Sequence, residues 1–440
     1  MKTKIVLFIL AALPLTGISQ NQASWSLKEC IAYGLKNYGT VRIAQFKKET
    51  ANHQAREAVS QYLPQVSGTG TFTDNLKLQK NILEIAGQDP VTLTFGTKYQ
   101  INLAAQATQA IYDKTLLLGI KANEPNKKLA DLSDRQTQED IIYNVTKNYY
   151  QVFVSQQQIS LLKDNLARTE QVLTILKLQR DNGVIQPVDY TNTEVSYNNT
   201  RSQLTLAENT YQLSINQLRY QMGLSQDEPM VLSDTAILKK LPQPEKVEFD
   251  AGKLVSVQQA ETNLVLQRIN AERTKAGYLP TLGFTANYGT LAFDNAIDGV
   301  FKNYKGFGSI GLKLTVPIFD GLRRDAQYQQ NKLTVLTQQE QLKLNTASYH
   351  LQYRNAESQL LKSQTNTQND QRNVQLAQRV YDITTLQYKQ GVKTLTDLLN
   401  ADKSYRDAQS NYINSLISYY QAQLDLEQSQ GSLLNFYNQL

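Results

Sequence analysis

The chain is one unit written twice. Moving the sequence along itself by 208 positions places Val172, Ile175, Leu178, Gln179, Gly183, Val184 and Asp189 on Val380, Ile383, Leu386, Gln387, Gly391, Val392 and Asp397. Further on, Tyr197 falls on Tyr405, Tyr211 on Tyr419 and Leu218 on Leu426. Upstream, Tyr62-Leu63-Pro64 returns as Tyr278-Leu279-Pro280 at an offset of 216, and Ile111-Tyr112-Asp113 as Ile318-Phe319-Asp320 at 207. A repeat constrains architecture before any other signal, because both copies must build the same supersecondary unit. The difference in offset falls between those two matches and predicts a longer loop in the second copy, near Asp294 to Asn303, where length change is tolerated.

Each copy opens its conserved part with alternation. Val66, Gly68, Gly70 and Phe72 alternate with Gln65, Ser67, Thr69, Thr71 and Thr73, and Leu282, Phe284, Ala286 and Tyr288 alternate with Thr281, Thr285 and Asn287. A second pair follows, with Leu93, Phe95, Tyr99, Ile101, Leu103, Ala105 and Ala107 in one copy and Ile310, Leu312, Leu314, Val316 and Ile318 in the other. Period two predicts strands with one apolar and one polar face. Runs of about ten to fifteen residues exceed ordinary globular strands and reach the length that crosses a bilayer on a tilt. Four such strands cannot close around a channel, so several chains must contribute or the edges stay bare, which lipid forbids. A soluble sandwich is the alternative, but sandwiches lack the helices that follow. Tyr62, Tyr99, Tyr278, Tyr288 and Tyr304 suit an interfacial girdle.

The helical signal is equally regular. From Lys114 to Asn182 the only proline is Pro125, and Val145, Val152, Ile159, Leu166 and Leu173 fall seven apart. A helix of that length spans roughly 100 Å, more than any globular core needs. After Gly183 to Pro187 the sevenfold spacing resumes at Tyr190, Tyr197, Leu204, Tyr211 and Leu218, with Leu398, Tyr405, Tyr412, Tyr419 and Leu426 as their partners. Each copy therefore ends in an antiparallel helical hairpin, with Asp189 and Asp397 placed to cap the returning helix. Shorter helices, about Leu27 to Tyr62 and Ala251 to Tyr278, precede the strands. The expected organisation is a signal peptide over 1–19, a first repeat over 20–222, an irregular linker over 223–250 holding Pro229, Pro242 and Pro244, and a second repeat over 251–440.

The first nineteen residues read as a secretory signal, with Lys2 and Lys4 before an apolar stretch and small residues at Gly17 and Ser19. Without those two lysines the formal charge falls from +6 to +4, no footprint for nucleic acid. The single cysteine, Cys30, excludes an internal disulfide. Glutamine supplies 50 of 440 residues, and no later apolar run reaches the length of a membrane helix. Such helix surfaces suit a water-filled bore or plain solvation.

No reacting constellation emerges. His53 and His350 occupy non-equivalent positions, and with one cysteine they provide neither metal-ligand spacing nor a nucleophile with its base. No cofactor is expected and the chain does not read as an enzyme. The best-preserved patch between the copies is a turn, Gly183-Val184 with Asp189 and Gly391-Val392 with Asp397, where glycine ends one helix and aspartate begins the next.

Two copies of helix, strand, strand, long helix, turn and helix, with Tyr-Leu-Pro before the first strand and Gly-Val-x-x-x-x-Asp at the turn, resemble the TolC-type outer-membrane efflux family. The resemblance implies a homotrimer with a twelve-stranded barrel in the outer membrane and a helical tunnel in the periplasm. It also implies a periplasmic adaptor and an inner-membrane pump as partners, outer-membrane lipid around the barrel, and service in efflux or type I secretion. By the same resemblance the inner turn gates the tunnel, and Tyr388, Gly391 and Asp397 match the family pattern. Lys393 stands where the family has arginine and Asn400 where it has a second aspartate, which leaves a single-point cation and one acid ring. Asp189 matches the tyrosine's tethering partner, and Gly183, Val184, Gly391 and Val392 match the adaptor-contacting positions. The competing reading is a secreted coiled-coil scaffold or adhesin with a soluble β head, which the long apolar strand faces disfavour.

Overall fold

The computed structural model describes residues 24–83, 91–233 and 248–440, so the expected signal peptide and half of the linker, with Pro242 and Pro244, lie outside the described residues. The strands are β1 (Ser24–Trp25), β2 (Gln65–Asp74), β3 (Gln79–Leu83), β4 (Val91–Phe95), β5 (Tyr99–Tyr112), β6 (Val231–Leu232), β7 (Thr281–Asp294) and β8 (Tyr304–Thr315). The helices are α1 (Leu27–Asn37), α2 (Gly39–Ser60), α3 (Lys114–Lys121), α4 (Asn123–Asp181), α5 (Pro187–Met222), α6 (Val255–Ala276), α7 (Arg323–Lys389), α8 (Leu395–Ser429) and α9 (Leu433–Gln439).

The four long strands form one antiparallel sheet in the order β2-β5-β7-β8. Its register puts like with like: Val66 faces Ala107, which faces Ala286, which faces Ile310, and Gly68, Ala105, Tyr288 and Gly308 form the next row. Those rows share one face, because alternation keeps each residue's neighbours on its own side. No helix covers that face. Val66, Tyr288, Ile310, Leu312 and Leu314 all stand exposed. Tyr62 and Tyr278 sit at the helix-side end of the sheet and Tyr99 and Tyr304 at the far end, whereas Tyr288 lies mid-strand against Ala105 and Gly308, which removes it from any girdle.

Several boundaries differ from the sequence reading. The helix expected from about Leu27 to Tyr62 is divided at Tyr38, whose extended backbone ends α1 and precedes α2, and the strand expected to reach Ile318 ends at Thr315. The strand expected to run from Leu93 to Ala107 breaks at Gly96, whose φ of +91° turns the chain out of the sheet, and β3 and β4 form a separate hairpin beyond it. The helix expected from Lys114 is interrupted at Ala122, because Pro125 has no N–H for the Lys121 carbonyl and suits a helix's first turn instead. Within the linker, Val231–Leu232 pairs in parallel with Ser24–Trp25, so that stretch is not wholly irregular. The extra residues of the second copy fold back on the apolar face, where Val300 is buried with Ile101 and Ala292 and Phe301 stacks on Phe72 at 6.3 Å.

Below the sheet the long helices lie side by side, α5 against α4, α4 against α8 and α8 against α7, with α6 between α4 and α7. At ~1.5 Å per residue, α7 with its 67 residues extends roughly 100 Å. The main core lies partway down this layer, where Tyr150 stacks on Tyr420 at 4.5 Å, Phe153 meets the same ring edge-on, and α1 and α9 close over them. Toward the turns the seams change character. Asn165, Thr169, Thr193, Thr200, Ser363, Thr367 and Gln409 are buried there, while Leu166 and Leu173 of the expected stripe are only half-buried.

Candidate functional site at the helix turns

Both turns are built the same way at their first half. Gly183 and Gly391 adopt φ of +70° and +75°, a region open to glycine at little cost. The Val184 N–H donates to the Gln179 carbonyl and Gly183 to Arg180; Val392 donates to Gln387 and Gly391 to Tyr388. This double closure satisfies the last carbonyls of each long helix. Val184 and Val392 project outward, each 69% exposed.

The second halves diverge. Thr394 caps α8, its hydroxyl accepting from the Asp397 N–H at 3.2 Å while the Asp397 carboxylate accepts from the Thr394 N–H at 3.0 Å and hydroxyl at 2.8 Å. These bonds, with a smaller contribution from the Lys393 charge, hold the Asp397 carboxyl below the usual carboxylate range. In α5 the capping position is Gln186, followed by Pro187, and Asp189 makes no side-chain cap. The expected capping role thus holds at Asp397 and not at Asp189. Lys393 and Asn400 are exposed.

Tyr388 reaches across to the other hairpin. Its hydroxyl donates to Gln179 Oε1 at 3.1 Å, so the tether ends on Gln179 rather than on Asp189. Burial raises the phenol, the Gln179 hydrogen bond opposes it, and Asp189 is near enough to add a smaller electrostatic rise.

A second junction lies further along, assembled around Tyr405 of the sevenfold stripe from residues that sequence spacing did not single out. The Arg168 guanidinium on α4 sits 5.6 Å from the Tyr381 ring centre and 4.9 Å from that of Tyr405, which themselves stack at 6.0 Å. Beside them Asp402 is buried and paired with Arg406 at 2.9 Å, and Arg406 reaches Thr200 of α5. Burial pushes the Asp402 carboxyl up, against the lowering pull of Arg406 and Arg168. The one sequence signal was the Asp402–Arg406 spacing of one helical turn. Nothing local could have joined Arg168 to them.

Among the described residues no group of histidine, cysteine and acidic side chains is placed to hold a metal. What the arrangement can do is mechanical: it joins two helical hairpins by a few polar contacts near their free ends. An antiparallel sheet with an uncovered apolar face, standing on such a layer of helices, is the protomer architecture of outer-membrane channels. The solved structure of the channel protein CusC superposes on it with a TM-score of 0.76 at 16% identity, over 92% of both chains. In sequence the chain is 24% identical to the outer membrane protein TolC of Vibrio cholerae over 98% of this chain and 96% of that one, and 23% identical to TolC of Escherichia coli over 98% and 87%. The family model for outer membrane efflux proteins matches residues 35–224 and again 255–432. This chain belongs to the outer membrane efflux protein family. It is a non-enzymatic channel protein of the outer membrane that extends into the periplasm.

Proposed function

We propose that three copies assemble into a continuous exit duct, passive in itself, that serves an efflux or type I secretion machine. The observation that carries this reading is the pair of open edges. β2 and β8 end the sheet with unpaired outer sides, and three four-stranded sheets joined edge to edge give a closed twelve-stranded barrel. The helical layer supports the same closure. Its flanking helices α5 and α7 carry exposed apolar side chains, Val188, Val195, Leu206 and Leu213 on one and Leu376, Val380 and Ile383 on the other. Joining copies covers both.

In this assembly a periplasmic adaptor meets the turns at Gly183, Val184, Gly391 and Val392, and an inner-membrane pump supplies the energy. The inner turn is the gate. Asp397 and Lys393 would ring the aperture, with Asn400 leaving a single acid ring, and the contacts of Tyr388 with the outer hairpin near Asp189 keep it shut. The repeats at 20–222 and 251–440 furnish the outer and inner hairpins. Mass measurement of the detergent-solubilised full chain tests the assembly: three protomers are expected, and a stable monomer that needs no detergent overturns it.

A further inference from the structure

We infer that the groove between the end of α2 and the start of α4 is a docking site for an anionic phospholipid headgroup of the periplasmic leaflet. The inference rests on the reading of the sheet as part of a membrane barrel. The groove encloses about 410 Å³ and is lined by Arg56 and Lys127, by Ser60 and Asn123, and by the apolar Val59 and Leu63, with no carboxylate among its lining residues. Asn123 fixes its width, the side-chain amide donating to the Ala55 carbonyl at 3.0 Å. Arg56 and Lys127 are exposed and form no ion pair among the described residues, whereas Asp131, one turn below Lys127, is already held by Lys48 at 2.7 Å.

The order of these groups follows the direction of a lipid. α2 runs toward the sheet, so Leu63 stands just before β2, with Val59 one turn below it and Arg56 about two turns below it. An acyl chain would lie along Leu63 and Val59 at the foot of the apolar sheet face. The phosphate would sit between the two cations, whose long side chains give them reach along the groove. A free anion has no use for the exposed Val59 and Leu63, which favours the lipid.

The two cations are not demanded by the fold. At the offset of 216 Glu272 stands in place of Arg56, and at offsets of 207 or 208 Thr334 or Val335 stands in place of Lys127. The charge is confined to one copy.

Native mass spectrometry of the full chain in non-ionic detergent, titrated with dioleoylphosphatidylglycerol or dioleoylphosphatidylcholine, tests this. Phosphatidylglycerol is expected to be retained in preference, and the double substitution Arg56→Gln with Lys127→Gln to weaken its retention about thirtyfold while leaving phosphatidylcholine unchanged. The control pair Lys77→Gln with Lys80→Gln, beyond the opposite end of the sheet, should retain it as the parent does. Equal retention of the two lipids, full retention by the Arg56 and Lys127 variant, or release by inorganic phosphate alone overturns the site. Planar-bilayer conductance, measured on the same preparations, separates the two levels: protein that forms no pore overturns the barrel reading and the site with it, and protein that forms pores without lipid preference overturns the site only.

Discussion

Arg168 of the first copy's hairpin lies 4.9 Å over the ring of Tyr405 of the second copy's, and the stacked Tyr381 holds that ring in place. The contact caps a small apolar cluster in which Tyr381 and Tyr405 are buried with Leu398 and Ala401, and Val172 of α4 packs against it, so it is a local fastening. Replacing Arg168 by alanine is expected to cost about 1 kcal/mol of stability, measured by denaturant unfolding in detergent, and to raise the open probability of single channels in planar bilayers. Unchanged gating with lowered stability would confine the contact to packing.

Arg406 presents a larger effect. Removing it strands the buried Asp402 carboxylate, and Arg406→Ala is expected to destabilise by about 3 kcal/mol. Adding Asp402→Asn should recover most of that loss, since the stranded charge goes with it. Full additivity of the two losses would refute the pairing as the source of the effect.

Two aspartates of α8, Asp402 and Asp397, should respond to acid with opposite signs. Asp402 has a folded value raised above its ordinary one by burial, so the folded chain binds its proton more readily and stability falls as pH rises through the window between the two values. Asp397 has a lowered value, so its capping contribution is complete above the ordinary carboxylate value and is lost as pH falls through the lower one. Unfolding midpoints against pH, compared with Asp402→Asn and Asp397→Asn variants, should lose the first dependence in one case and the second in the other.

At the turns, backbone and surface can be separated. Gly183→Ala and Gly391→Ala are each expected to cost about 1 kcal/mol, because alanine must enter the left-handed region. Val184→Asp and Val392→Asp, changing exposed side chains, should leave stability unaltered and abolish export if the adaptor docks there. Export intact in both aspartate variants would place the adaptor elsewhere.

The gate proposal divides between its tether and its charges. Tyr388→Phe and Gln179→Leu remove one hydrogen bond from either side and should raise open probability to the same degree, with no further rise in the double variant. Asp397→Ala should weaken cation block, and Lys393→Ala should strengthen it. If neither charge variant alters block, Asp397 serves α8 as a cap alone.

Much of this architecture was legible because it is periodic. Val66 to Phe72 and Leu282 to Tyr288 announce their strands by alternation, and the register then brings their apolar positions into common rows. The turns were legible because glycine at a positive φ has few substitutes. Less legible were features set by tertiary contact. Tyr388 pairs with Gln179, a residue with no sequence mark beyond its place in the repeat. Arg168, Tyr381 and Asp402 come from three separate helices, and no spacing predicts their meeting. The heptad reading holds in the second copy, where Leu398, Tyr405, Tyr419 and Leu426 are buried, and is weaker in the first, where Leu166 and Leu173 are half-buried and Asn165 and Thr169 are buried beside them, because a hydrophobic pattern cannot see such polar residues.

Those threonines keep their bonds at home. The hydroxyls of Thr169, Thr193 and Thr200 each donate to the carbonyl one turn earlier in the same helix, at 2.9, 3.0 and 2.9 Å. Their hydroxyl protons are therefore spent within one helix, and displacing one helix along another orphans none of these donors. Two such hydroxyls also meet the neighbouring helix: Thr200 Oγ1 accepts from Arg406 at 3.4 Å, and Thr367 lies 3.0 Å from the Ser415 carbonyl. The helical layer near the turns is thus a set of rods in sliding contact, pinned at a few named points, and its resistance to being pulled apart resides in those pins.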